Sequence, residues 1–328
     1  MRPSQGHGVI VLAAYRPDPE LFAVQLRSIR DQTRPDFRCL IGADGGQAEV
    51  LALVAEVVGG DDRFEVVGWD DNLGFYLNFE RLLRMVPDDV AWVALSDQDD
   101  RWYPDKLARL VPLLDDAVLA TGQARVVTWP QGEVALERTD REVAPADDLL
   151  FQNQVTGAFT VLRRELLDVA LPFPRLLTVT QIHDHWLAMC AVAVDRYVVL
   201  DEVVQDYVQH GGNQVGEVSA KRARHPMALL GRLRELADAY VGGHGIGDCL
   251  STAGTLSYGW RRELVRTLDE RAPGSLPDTG PTDAVRRGAR LGVLLHVIRS
   301  PRVVPGVAAT FVLGSLDRRL GDDSGVRR

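Results

Sequence analysis

The chain reads as an α/β protein: a mainly parallel sheet with helices on both faces, followed by a helical C-terminal region. Three observations lead there. Short apolar runs alternate with helix-spaced stretches over roughly the first hundred residues, a β-α-β-α-β-α-β order whose short connections call for parallel strands. Each apolar run ends in a polar or glycine-bearing group, namely Tyr15-Arg16, Asp44-Gly45-Gly46, Asp70-Asp71-Asn72 and Asp97-Gln98-Asp99-Asp100. Beyond about residue 215 the composition shifts to Arg, Ala, Leu and Gly at helical spacing, as in Leu229, Leu230, Leu233 and Leu236.

Taken in order, residues 8–14 form a buried first strand, and Tyr15-Arg16-Pro17-Asp18-Pro19 is the loop that leaves it. Leu21, Val24, Leu26 and Ile29 predict a helix ending near Gln32. Phe37–Ala43 is the second strand, stopped by Asp44-Gly45-Gly46, and residues 48–58 are helical. A strand over Phe64–Trp69, a helix over Gly74–Met85 and a strand over Val90–Ser96 complete the repeat. Pro104–Leu114 carries the chain away as a helix, and Val118–Thr128 returns it as a strand. Residues 130–148, charged and without periodicity, predict an exposed excursion. Phe151–Val161 is strand-like but interrupted by Gly157, where backbone can approach a ligand closely. A helix over Asp184–Val194 follows the polar run Thr178–His183, with strands at Tyr197–Leu200 and Val203–Tyr207. Residues 272–283 hold three Pro and two Gly and predict a linker. Leu291–Ile298 and Val303–Leu316 predict an amphipathic helical pair, either packed on the main domain or lying in a membrane interface. The expected division is a ligand-binding and catalytic α/β domain over 1–216 and a helical region over 217–328, with a basic tail from about 285.

Composition bounds the function. The 328 residues suffice for two cores, and 46% apolar with 25% charged residues is ordinary for a globular protein. Net charge is −9, but Arg286–Arg328 carries nine Arg against three Asp, so this tail is +6 and the preceding residues carry −15. An acidic body argues against nucleic-acid binding, while the basic tail is a candidate contact for an anionic membrane surface. Cys39, Cys190 and Cys249 are widely spaced, with no disulfide framework or zinc spacing, and point to a reducing compartment. No run approaches the roughly 18 apolar residues of a membrane span, and the first apolar run is too short for a signal peptide. A cytoplasmic protein is expected, peripheral to the inner face of the cell membrane if the tail binds there.

The chemistry starts at the fourth strand. Trp92, Val93, Ala94 and Leu95 suit a buried strand, but Asp97, Asp99 and Asp100 cannot be buried there without partners and must sit where it emerges. In open α/β sheets that edge is where ligands bind. Crowded oxygen ligands suit Mg²⁺ or Mn²⁺, which takes one or two carboxylates and completes its shell with phosphate oxygens and water. The plainer reading is a solvated acidic turn capping the next helix. Because the four loops share one edge of a parallel sheet, their polar groups converge on one cleft. Neither a G-x-G-x-x-G after the first strand nor a P-loop is present, which disfavours dinucleotide oxidoreductases and P-loop NTPases.

Ordered matches then accumulate: Ala14-Tyr15-Arg16, Asp44-Gly45, Asn72-Leu73-Gly74 with Asn78-Phe79 and Leu82-Leu83, and Ser96-Asp97-Gln98-Asp99-Asp100 with Trp102, Pro104, Lys106 and Leu107. They continue through His183-Asp184-His185-Trp186, Leu200-Asp201-Glu202 and Gln209-His210-Gly211-Gly212-Asn213. Over residues 8–216 the chain resembles a family 2 glycosyltransferase of GT-A fold, and within that family the bacterial rhamnosyltransferase-like group.

The resemblance implies an inverting, metal-dependent transfer of a sugar from a nucleoside diphosphate, dTDP-rhamnose or UDP-hexose in type, to a glycan or lipid-linked acceptor. Tyr15 and Asp44 would hold the base, within a nucleotide site of Ala14, Arg16, Asn72, Gly74, Asn78, Asp97 and Gln98. Asp99, with Asp97 and His210, would hold Mn²⁺ or Mg²⁺. Asp184 would be the catalytic base, although an Asp before an apolar helix is often only a cap. The acceptor would lie over Trp102, Gly157, His183, His185 and Trp186. Arg16 stands where the family usually has Asn, Ala43 where it often has an acid, His185 for an aromatic and Arg101 for an apolar residue. The competing readings are a sugar-1-phosphate nucleotidyltransferase, which would want a glycine-rich basic loop in place of Tyr15-Arg16-Pro17, and a catalytically silent carbohydrate-binding protein.

Overall fold

Strand β1 (Gly8–Ala14) is apolar along its length because it lies between two strands and under helices; Ile10, Val11 and Leu12 are fully buried. In the computed structural model it pairs in parallel with β2 (Phe37–Asp44) on one side and β4 (Trp92–Ser96) on the other, Gly8 facing both Phe37 and Trp92. β3 (Phe64–Trp69) adds to β2, again in parallel, as the half-buried edge. The structure describes residues 3–176, 182–210, 231, 233–238, 242–243 and 245–317. Residues 178–181, Gly211-Gly212-Asn213, Leu229, Leu230 and the end of the basic tail lie outside them.

The crossovers are helices α1 (Pro19–Arg30), α2 (Gln47–Val58) and α3 (Phe75–Leu83). α1 begins where Asp18 accepts bonds from the amides of Glu20 and Leu21 and Pro19 supplies a preset φ. Leu21, Phe22, Leu26 and Ile29 then face the sheet, as Val50, Val54 and Val58 do on α2.

Past β4 the sheet changes character. Its order is β3-β2-β1-β4-β8-β6-β9-β5, with β5 (Arg101–Trp102), β6 (Leu119–Thr128), β8 (Thr160–Arg163) and β9 (Tyr197–Gln209), and β7 (Val134–Leu136) paired to β6. β8 runs antiparallel to both β4 and β6, and among the described residues only β6 with β9 is a further parallel pair. The sheet is thus parallel over its first four strands and mixed beyond. Buried strands lack the polar alternation from which direction is read.

Other expectations need revision. Phe151–Val161 is not a strand: Gly157–Phe159 is a 3₁₀ turn, and β8 starts at Thr160. The helix expected to Leu114 is α4 (Lys106–Leu110) running into a 3₁₀ turn, Val111–Asp115, with Pro112 inside it. The two late strands are one, β9, with register shifts opposite Gln123. Short helices α5 (Ala146–Leu149) and α6 (Leu167–Ala170) and the longer α7 (His183–Val194) complete this part of the chain.

The chain divides into two compact units, one of Met1–Val143, Gln154–Phe173 and His183–Gln214, the other of Ala144–Asn153, Pro174–Ile182 and Val215–Arg328. The second contains α5, α8 (Ile246–Gly254), α9 (Trp260–Arg271), α10 (Gly280–Arg286), α11 (Arg290–Arg299) and α12 (Pro305–Ser315). Asp147 on α5 holds the start of α10, accepting from Thr282 N at 3.1 Å and Thr282 Oγ1 at 2.6 Å. The expected linker 272–283 therefore ends in a helix. The three cysteines are free and buried. Among the described residues no helix is long and apolar enough to cross a membrane.

Candidate active site

The first unit gathers its polar loops at the carboxyl ends of β1, β2 and β4. Gln98 ties two of them: its Oε1 accepts from Tyr15 N at 2.7 Å, and its Nε2 donates to Tyr15 O at 3.2 Å. Tyr15 is 43% exposed, while Ala14 before it is fully buried. Arg16 follows at φ +42°. A left-handed turn there strains most side chains other than Gly, Asn and Asp.

Asp44 closes β2 and is 1% exposed. It accepts from Leu73 N at 2.9 Å, Gly74 N at 2.8 Å and Arg81 Nη2 at 2.6 Å. Its carboxylate thus shapes the loop into α3, a correction to the expectation that it reaches outward to a base. Asn72 assists by accepting from Gly74 N, and Gly74 adopts φ +80°, a conformation that favours glycine. Asn78 is structural too, donating to Gly42 O at 3.0 Å and accepting from Arg81 Nε.

The acidic loop separates into three roles by burial. Asp100 is 1% exposed and accepts from Gln205 Nε2 at 2.7 Å and Val208 N at 3.0 Å. Burial, and then the nearby Asp99 and Asp97, push its carboxyl well above the usual range. Asp99 Oδ2 lies 2.7 Å from His210 Nε2, and that bond to Asp99 holds His210 above its ordinary pKa. Asp97 is half-buried; desolvation first, then the charges of Asp99 and Asp184, raise it to about 7. Two sequence-distant carboxylates, on β4's exit loop and at the start of α7, therefore act on one group.

Asp184 is oriented from two sides: its Oδ1 accepts from His185 N at 2.6 Å and its Oδ2 from Gly157 N at 3.4 Å. His183 stacks on Phe79 with ring centroids 4.2 Å apart, and neither of its buried ring nitrogens has a hydrogen-bond partner among the described residues. Burial pushes its pKa down to about 3. A Cβ on Gly157 would come within 2.5 Å of His183 Nε2, so only glycine fits between the histidine and Asp184.

Three residues expected at the acceptor are interior instead. Trp102 is 2% exposed within the core under the sheet, with Lys106 Nζ 3.6 Å from its ring centroid. Trp186 is fully buried and donates to Ala170 O at 2.8 Å, and His185 is 2% exposed. Aromatic bulk in an α/β core is the cheaper use of these rings.

The sequence did not single out Arg141 or the roles of Lys106 and Gln205. Arg141 donates to Thr156 Oγ1 at 2.9 Å; burial lowers its pKa, while the nearby Asp184 opposes that shift. Lys106 is fully buried, donating to Ala158 O and Gln205 Oε1 at 2.5 Å each, and burial drives its ammonium well below the usual range. One signal was available: Lys occurs only at 106 and 221 in an arginine-rich chain.

Among the described residues, no three His, Cys, Asp or Glu groups form a metal cage of their own. The model for glycosyl transferase family 2 matches residues 9–168. No curated protein matches the chain in sequence. Among solved structures, residues 1–349 of TarS from S. aureus align with 96% of this chain and 92% of that one at 13% identity and TM-score 0.50. A mannosyltransferase, PcManGT from Pyrobaculum calidifontis, solved with GDP-Man and Mn²⁺, aligns with 97% of this chain and 88% of that one at 17% identity and TM-score 0.50. At such identities these structures speak to the fold alone. The matched segment runs from β1 through the acidic loop to β8 and α6, so residues 9–168 carry a glycosyl transferase family 2 domain on the sheet just described, and the protein is a glycosyltransferase of GT-A fold.

Proposed function

We propose that this glycosyltransferase moves a sugar with inversion from a nucleoside diphosphate, of the dTDP-rhamnose or UDP-hexose type, to a glycan or lipid-linked acceptor in bacterial cell-surface polysaccharide synthesis. The observation that carries this reading is the placing of Asp97 within reach of both Asp99 and Asp184, whose charges add to burial in raising its proton affinity. A donor-side acid and a candidate base thus lie close enough to act on one carboxyl.

Each group has a task in that reaction. Tyr15, exposed and pinned through its backbone by Gln98, offers its ring to the base. Arg16, Asn72 and Gly74 line the loops beside it, and Asp44 keeps the Gly74 turn in shape. Asp99 and His210 present an oxygen and a nitrogen 2.7 Å apart, with Asp97 adjacent, a donor set that suits Mn²⁺ or Mg²⁺ when diphosphate and water supply the remaining ligands. The repulsion from Asp99 and Asp184, which adds to burial in raising Asp97, is what a cation would relieve. When bound, such an ion stabilises the charge that develops on the leaving diphosphate. The Mn²⁺ and GDP-Man in the Pyrobaculum mannosyltransferase support this choice of ion and donor class.

Asp184 takes the proton of the acceptor hydroxyl during attack, held to one orientation by the amides of His185 and Gly157. With a single base and in-line displacement the anomeric configuration inverts, and no second nucleophilic carboxylate is needed. His183, neutral by burial, packs beside Gly157 and backs the turn that orients Asp184. The basic tail brings the protein to the membrane that carries a lipid-linked acceptor, a reading supported by Leu291, Leu295 and Ile298, 70%, 41% and 58% exposed along one side of α11.

Calorimetric titration of UDP, dTDP and GDP with and without Mn²⁺ tests the donor site. Asp184→Asn should leave metal-dependent nucleotide binding within about threefold and cut transfer by at least about 100-fold, the scale of general-base catalysis. Nucleotide binding indifferent to metal would remove the role given to Asp99, and an active Asp184→Asn enzyme would move the base elsewhere.

A further inference from the structure

Lys106 lies beneath the site rather than in it, yet its ammonium is hydrogen-bonded to both of the site's halves. On one side Nζ donates to Ala158 O, and the preceding residue, Gly157, donates its own N–H to Asp184. On the other side Nζ donates to Gln205 Oε1, and Gln205 passes the contact on through Nε2 to Asp100 Oδ2. Asp100 in turn accepts from Val208 N, two residues before His210, whose ring meets Asp99. One unbroken chain of hydrogen bonds therefore runs from the turn under Asp184 to the loop bearing Asp99. It passes through residues that solvent does not reach, since Lys106 and Gln205 are both fully buried.

A lysine is an expensive way to fill a core. Its charge loses hydration, and among the described residues it gains no carboxylate in direct contact, only two neutral acceptors and the face of Trp102 at 3.6 Å. A leucine or methionine would pack the same space at lower cost. What an apolar residue could not do is hold Ala158 O and Gln205 Oε1 at a fixed separation. The amide of Gln205 is equally directional: it can accept from Lys106 and donate to Asp100 at once, which neither Glu nor Leu can do.

We infer that Lys106 and Gln205 are positioning residues, a buried strut that sets the distance between the donor-side acid Asp99 and the base Asp184. The inference rests on the assignment of those two residues in the proposed function. In the strut, Gln205 governs the donor side through Asp100, whereas Lys106 governs both sides. Misplacing reacting groups by about 1 Å costs on the order of 100-fold in rate, so the two residues separate by the parameters that they disturb.

The test uses the full chain and the near-isosteric variants Lys106→Met and Gln205→Met. Wild-type binding of Mn²⁺ and nucleoside diphosphate comes first; its absence would count against the donor-site reading and not against the strut. Given that binding, Gln205→Met should weaken the Mn²⁺-dependent nucleotide Kd about tenfold, with kcat at saturation within about threefold of wild type. Lys106→Met should weaken the same Kd and also lower kcat by about 100-fold. Residues that serve stability alone would lower the unfolding midpoint and leave Kd and kcat of the folded protein unchanged, and that outcome overturns the inference. If Lys106→Met does not fold, Gln205→Met decides: an unchanged Kd refutes the strut, and a tenfold loss supports it.

Discussion

Asp97 makes the crowding of the site measurable without any substrate. In the metal-free protein its pKa rises from 3.8 to about 7, with desolvation the larger cause and the charges of Asp99 and Asp184 next. A folded state that holds a proton more tightly than the unfolded chain loses stability as pH rises. Below about pH 4 both states are protonated and nothing is lost. Through the window from about 4 to 7 only the unfolded chain releases the proton, and above about 7 the folded protein bears the full cost of ionising. At about 1.4 kcal/mol for each tenfold in proton affinity, a rise of this size is worth about 4 kcal/mol, and the partial exposure of Asp97 discounts it to about 2–3 kcal/mol. Asp97→Asn, which cannot ionise, should therefore be more stable than wild type by about that much at pH 8.5 in EDTA, with most of the difference gone at pH 4.5. Urea denaturation at the two pH values reads it directly. Saturating Mn²⁺ with a nucleoside diphosphate should narrow the gap at pH 8.5, because binding to the wild type adds stability that the variant lacks. An Asp97→Asn variant no more stable than wild type at pH 8.5, or equally favoured at both pH values, would refute the convergence of the three carboxylates.

Two further outcomes follow from particular contacts. Gly157→Ala places a methyl 2.5 Å from His183 Nε2, so either the histidine or the turn that donates to Asp184 must move; transfer should fall at least about tenfold while metal-dependent nucleotide binding holds, and an unaltered rate would separate Gly157 from the base. The double variant Leu291→Ser, Ile298→Ser removes two of the most exposed apolar side chains on α11, and co-sedimentation with vesicles containing anionic lipid should drop at least about fivefold without loss of stability; unchanged sedimentation would detach that helix from the membrane reading.

The parallel half of the sheet was legible because strands buried on both faces leave continuous apolar runs, each stopped by Gly or Asp at the same edge. The same rule hid the rest. β8 and residues 204–208 of β9 are buried as β1 is, and nothing in their composition distinguishes an antiparallel neighbour from a parallel one. The acid cluster stood out by residue type, whereas Asp184 and His210 became candidates only through the ordered matches of the family resemblance. Trp102, Trp186 and Asp44 could not be placed, because an aromatic ring serves a core as well as a sugar, and a carboxylate serves a loop's amides as well as a ligand.

By itself the sequence determined the local facts of the first hundred residues: which segments are strands and helices, where carboxylates interrupt them, and which loops share an edge. Only the tertiary structure decided which of three neighbouring aspartates is a buried anchor, which meets His210 and which has its proton affinity raised by burial and by its neighbours. That division has a physical cause. Backbone conformation follows from side chains a few positions away, whereas the ionisation and orientation of Asp97, Asp99 and Asp100 are set by Asp184, Gln205 and His210, which lie some 80 to 110 residues further along the chain and reach them only when the sheet closes.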